Sequence, residues 1–291
     1  IFRLIAGITS GTVFVLASNV ALEALRAANK GRISGMLYSG VGLGIFTSSI
    51  FIFLFTTENN WKITWILLGV FALVMGSFVF FGMRQNSNVE NETQTLNEKE
   101  DKPKVKLNKK FIWGFSIAYF CEGAGYIITG TFLVAIVKSI PEFADYAALS
   151  WMFVGLGAIP STILWSMMAE KLGYSKATNL AFILQIIAVI LPVFSESITS
   201  LVISSILFGA TFLGLTTLFM SKAQTLMFQS NSKINLVASL TVIYSLGQMI
   251  APALSGVLIG ESGNYNAALI FASIILCVGL LSSMYSYRVT N

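Results

Sequence analysis

The chain has 291 residues, of which 55% are apolar and 11% charged, with a net charge of +5 and a mean hydropathy of +0.78. Water-soluble domains carry about 25% charged residues, so this balance excludes an ordinary soluble globule. A helix needs roughly 20 apolar residues to cross about 30 Å of hydrocarbon at 1.5 Å per residue. Runs of that length are predicted at 3–22, 34–55 and 63–83, and then at 111–137, 147–168, 177–195, 199–220, 234–259 and 265–287. Barrel strands would be about ten residues long with alternating polarity, whereas these runs are apolar on all sides. The expected fold class is therefore all-α, a polytopic membrane protein with nine transmembrane helices.

A charged, apolar-poor stretch from Arg84 to Lys110 divides the spans into three and six. It carries seven basic and five acidic residues, too little apolar surface to fold alone. The expected organisation is a partial three-helix bundle over 1–83, a cytoplasmic linker over 84–110 and a six-helix bundle over 111–291. The linker reads first as a plain tether and second as a segment whose Lys102 to Lys110 cluster docks on anionic membrane lipid.

The basic excess could point to nucleic acid, and its placement argues otherwise. With the N-terminus outside, 15 of the 18 lysines and arginines fall on the inner side: Arg26, Lys30 and Arg32, seven in the linker, then Lys171, Lys176, Lys222, Lys233 and Arg288. Arg3, Lys62 and Lys138 remain outside. That is the positive-inside bias of a multispanning protein, and it puts the linker and the C-terminus in the cytoplasm. Both cysteines, Cys121 and Cys277, sit inside spans and the chain has no histidine. A disulfide framework, imidazole metal sites and Ser-His or Cys-His nucleophile pairs are thereby removed. No Gly-Lys-Ser/Thr phosphate loop is present either, so neither an enzyme nor an ATP-driven pump is expected, and no cofactor.

Two segments echo each other. Gly7, a basic turn and then Gly35, Gly40, Gly42 and Gly44 correspond to Gly209, a basic turn and then Gly247, Pro252 and Gly256. As elements of a parallel repeat, spans one to three would match spans seven to nine. The chain would then lack the first three helices of its first bundle.

The run Ala169-Glu170-Lys171-Leu172-Gly173-Tyr174-Ser175-Lys176 resembles the loop signature of the major facilitator superfamily, with Glu170, Lys171, Gly173 and Lys176 at the matching positions. The Gly247, Pro252 and Gly256 pattern is similar to that superfamily's eleventh helix and Arg3 to Gly11 to the start of its fourth. Ala118 to Ile128 and Gly31 to Gly35 resemble the YbfB-like bacterial branch. The resemblance covers nearly the whole chain and departs from the common antiporter pattern in having no proline from Gly35 to Gly44. It implies two bundles around a central cavity, a secondary transporter in a bacterial plasma membrane, and a loop whose charge pairs help hold one access state. The expected function is secondary transport of a small organic solute, with protons as the candidate coupling ion. The alternative is an inactive truncated fragment or membrane scaffold.

The chemistry must come from polar residues at membrane depth. Glu122 is the foremost, about 16 Å into its helix, where an ionised side chain costs at least about 2.5–3.5 kcal/mol unless it is paired or reaches water. Tyr119, Tyr126 and Thr129 lie at i−3, i+4 and i+7 from it, so that Glu122 heads a polar stripe. It is expected either to line the cavity, taking up a proton or neutralising a cationic substrate, or to hydrogen-bond a neighbouring helix. Tyr119 and Tyr126 would supply hydroxyls or a ring face. Arg3 is a candidate anion partner or a snorkelling helix-end residue. Tyr38, Gln185 and Gln248 are read as interhelical contacts or ligand contacts. The glycines from Gly35 to Gly44 are expected to pack helices together.

Overall fold

The computed structural model describes residues 2–27, 34–55, 61–84, 108–230, 235–260 and 263–290. These form nine α-helices: α1 (Phe2–Ala27), α2 (Ser34–Phe55), α3 (Trp61–Arg84), α4 (Lys109–Lys138), α5 (Leu149–Leu172), α6 (Tyr174–Phe194), α7 (Ile198–Gln229), α8 (Leu236–Ile259) and α9 (Tyr265–Thr290). Eight of them hold a segment long and apolar enough to cross a membrane, and α1 holds a shorter apolar segment, Leu4–Val13. The one regular element not expected is a short 3₁₀ helix, Pro141–Tyr146, after α4. The linker from 85 to 107 lies outside the described residues, as do the side chains of Arg3 and Arg26.

Helix ends follow local chemistry. Asn108 caps α4, its side chain accepting from Lys110 N at 3.0 Å while its amide donates to Val289 O at 3.2 Å, which ties the start of α4 to the end of α9. Asn235 caps α8 through Ala238 N at 3.0 Å. Between α5 and α6 stands Gly173 alone, with φ 83° and ψ 154°, a backbone region open essentially to glycine. α7 extends to Gln229, nine residues beyond its expected end, because Ser221 to Gln229 lacks Gly and Pro and keeps the helix going past the apolar run. Pro160, Pro192 and Pro252 sit inside helices, where a bundle can re-satisfy the freed carbonyls.

α4 to α9 pack around one core. α4 lies between α8 and α9, α6 between α7 and α9, and α7 runs along α5. α4 and α7 are the most buried spans, 56% and 61% inside, against 6% for α3. Val70, Leu73 and Phe78 on α3 are exposed, as are Leu4 and Ile8 on α1, the surface expected to face lipid tails.

Small residues set the crossings, as is general where no hydrophobic force drives apolar helices together in lipid. Gly157 on α5 faces the Ile206 carbonyl, and Gly209 on α7 faces that of Val154. α2 docks on α5 in the same manner: a Cβ on Gly42 would come within 2.6 Å of Ile159 N, and one on Gly155 within 2.5 Å of Phe46 N. Of the expected glycine series, Gly42 alone makes such a contact among the described residues; nothing approaches Gly40 or Gly44 within 4 Å. Residues two apart on a helix point about 200° apart, so Gly40 and Gly44 turn away from the face that Gly42 presents.

Candidate functional site

Glu122 lies midway along α4 with 0% of its surface exposed. Its Oε1 accepts a hydrogen bond from Gln185 Nε2 on α6 at 3.0 Å. Its Oε2 has no hydrogen-bond partner, and neither has Gln185 Oε1. α4 and α6 are not packed neighbours in this bundle, so the two long side chains meet across the core. The hydrogen bond shown for Glu122 is thus to another helix of the bundle, though not to one packed against α4.

The stripe beside Glu122 divides between two partners. Tyr119 stacks on Tyr244 of α8 with ring centroids 4.5 Å apart and on Phe219 of α7 at 4.7 Å. Tyr126 stacks on Tyr244 at 5.7 Å and, nearly parallel, on Phe212 at 5.5 Å. Phe208 continues the ladder from Phe212 at 5.4 Å, and Phe115 continues it from Phe219 at 4.6 Å. The result is a continuous run of rings along α4, α7 and α8, in the offset and tilted arrangements aromatic pairs favour.

Hydroxyls line part of this ladder. Gln248 Nε2 donates to Tyr126 Oη, and the hydroxyls of Tyr119, Tyr244 and Thr216 come together. Tyr38 of α2 is 8% exposed and within electrostatic reach of Tyr119, so the ladder reaches the region where the first helices meet the larger bundle. Thr129 is buried, 2% exposed, with its hydroxyl unpartnered. The close approach of α4 to α8 depends on glycine at both sides: Gly123 faces the Tyr244 carbonyl, and Gly247 faces the Phe120 carbonyl and Ala124 N.

Of the residues singled out in the sequence, the structure joins Tyr119, Tyr126, Gln248 and Tyr38 around one ladder and Glu122 with Gln185 in the core. Glu170, Lys171, Gly173 and Lys176 fall together at the α5–α6 joint, exposed, at the opposite end of the bundle from Ser139. Beside them Lys222 of α7 places its Nζ 5.5 Å from the centre of the Tyr174 ring, a cation–π contact. The aromatic partners Tyr244, Phe208, Phe212 and Phe219 were not singled out. Their one local signal is spacing: Phe208, Phe212 and Phe219 recur at i, i+4 and i+11 on α7, a single helix face.

Two cavities lie at the Ser139 end, roughly 21 Å along α4 from Glu122. One, about 270 Å³, is apolar and lined by Phe143, Tyr146, Phe153 and Val202. The other, about 180 Å³, is polar and lined by Ser139, Glu196, Asn264 and Asn266. Among the described residues no group of three or more His, Cys, Asp or Glu could hold a metal ion.

Comparison with known proteins gives two results. The family model described as "Uncharacterised MFS-type transporter YbfB" matches residues 1–284. A stretch of 177 residues is 22% identical to "Azole resistance protein 1" of Saccharomyces cerevisiae; it covers 60% of this chain and 28% of that relative, so the chain spans under a third of the relative's length.

Proposed function

Because the chain belongs to the family of uncharacterised MFS-type transporters of the YbfB type, we propose that this membrane protein is a secondary active transporter of a small organic solute, coupled to protons. Its parts would be the bundle over 1–83 and the bundle over 111–291, rocking against each other around a central path. The charge bias along the sequence supports an orientation with the linker and the C-terminus in the cytoplasm, in what would be a bacterial plasma membrane. The Glu170 to Lys176 joint, at that cytoplasmic end, would hold one access state through its charges. Lys222 on Tyr174 adds a contact between α7 and α6 at the same end.

In this reading the solute path follows the ring ladder. Tyr126 and Gln248, which are partly exposed, offer a hydroxyl and an amide beside aromatic faces suited to planar or cationic solutes, and the buried Tyr119 and Tyr38 would join them where the packing opens. Thr129 and Arg3 are further candidate contacts along α4 and α1. The relative's name concerns azole resistance, so azoles join amino acids, sugar acids and aromatic compounds in a substrate screen.

The observation that carries the coupling role is Glu122 itself: a carboxyl group with 0% exposure whose recorded hydrogen-bond partner is an uncharged amide. A permanent charge in such surroundings is expensive, whereas a carboxyl that gains and loses a proton is a working part. The test is uptake by the purified protein in proteoliposomes under an imposed proton gradient. Glu122→Gln keeps the shape and an amide partner for Gln185 and should abolish gradient-driven accumulation while leaving solute exchange measurable. Accumulation equal to that of the unsubstituted protein would refute the coupling role.

A further inference from the structure

The hydrogen bonds around Glu122 do not close for an ionised carboxylate. The Glu122 and Gln185 side chains present four polar termini to each other or to the core. One pair is satisfied, Gln185 Nε2 donating to Glu122 Oε1 at 3.0 Å. The two atoms left over, Glu122 Oε2 and Gln185 Oε1, are both acceptors and both without a partner, in residues that are each 0% exposed. Buried acceptors without donors are rare because each forfeits its hydration.

A single proton resolves both. A carboxylic acid has one donor and one acceptor, a carboxamide likewise presents one of each, and both groups are planar with similar spacing between their two termini. We propose that Gln185 is the proton-holding partner of Glu122: in this conformation the two form a closed acid–amide ring, with Gln185 Nε2 donating to Glu122 Oε1 and a proton on Glu122 Oε2 donating to Gln185 Oε1. The tally is unchanged if the amide is turned over, since an acid facing an amide supplies one donor in each direction.

The surroundings leave few other ways to balance the pair. α4 itself brings Cys121, Tyr119 and Tyr126 near Glu122, and α8 brings Tyr244. α6 faces it with the uncharged Gln185, and among the described residues no lysine or arginine of α5, α7 or α9 acts on it. The carboxyl would thus be loaded in the present conformation and would part with its proton only on a rearrangement within the bundle over 111–291, to which both α4 and α6 belong, that breaks the ring. This extends the coupling role proposed for Glu122 by assigning its partner, and it makes Gln185 a positioning residue.

Infrared difference spectroscopy of the full chain in lipid nanodiscs tests the ring without requiring transport. At neutral pH a protonated-carboxyl stretch, sensitive to deuterium exchange, is expected, and it should disappear in Glu122→Gln. In Gln185→Met, which keeps side-chain length, and in Gln185→Leu, the band should move to higher wavenumber as the carbonyl loses its donor. Monodispersity and helix content of each variant confirm folding. An ionised-carboxylate band from Glu122 at neutral pH, a band that responds to sodium, or one unmoved in both Gln185 variants would overturn the proposal. A band that behaves as expected beside unaltered uptake by Glu122→Gln would leave the ring standing and remove the coupling role.

Discussion

Gly123→Ala is the sharpest structural perturbation. A methyl group at Gly123 would come 2.5 Å from the Tyr244 carbonyl oxygen and 2.9 Å from Tyr244 Cδ2. That is roughly 0.9 Å inside the 3.4 Å at which ordinary contact begins, and the obstructing oxygen is backbone, so no rotamer change can relieve it. Gly247 blocks the escape from the other side, since it already places α8 against the Phe120 carbonyl. Overpacking of this kind costs about 1–3 kcal/mol, and alanine's better helix propensity returns about 1 kcal/mol. A net loss of up to about 2 kcal/mol lowers the melting temperature by up to roughly 8 °C. Gly130→Ala on the same helix is the control, because its methyl would meet Trp151 at an ordinary 3.8 Å and should leave the protein as stable or more so. The assay is thermal unfolding of the purified chain in detergent, followed by helical circular dichroism. If Gly123→Ala melts at or above the temperature of Gly130→Ala, the α4–α8 crossing is not set by glycine contact and the reasoning fails.

Two further substitutions probe the joints of the larger bundle. Gly173→Ala forces a side chain onto φ 83° and ψ 154° and should cost about 1–3 kcal/mol, seen as a lower melting temperature even though nothing lies within 4 Å of the added methyl. Trp165→Phe removes the indole donor that bonds the Ala210 carbonyl at 2.7 Å across α5 and α7. It should destabilise by about 1 kcal/mol, measured by the same melt, with helix content unchanged.

Much of the architecture was legible along the chain. A helix that must cross hydrocarbon satisfies its own backbone hydrogen bonds, so span positions are a local property and appear as apolar runs of sufficient length. α2, α3, α6 and α9 begin and end within three residues of where the runs predict. α7 ran longer, since hydropathy marks where the membrane segment ends and not where the helix does. Within Glu170 to Lys176, the glycine at 173 was legible for a similar reason: it answers a local backbone demand.

The candidate site is a set of residues in the sequence and an arrangement only in the fold. Tyr119, Glu122 and Tyr126 lie within roughly 60° of one another around α4, and nothing local tells their destinations apart. Packing separates them: α8 approaches through Gly123 and Gly247 and takes the tyrosines, while α6 sends Gln185 across the core to Glu122. The same holds for Gly42, which alone of its series is shown meeting α5. Sequence identifies such polar and small residues because hydrocarbon makes them conspicuous. Their partners depend on the order and rotation of helices that are apolar all round, and hydrophobicity spread evenly about a helix carries no information on which face meets protein and which meets lipid.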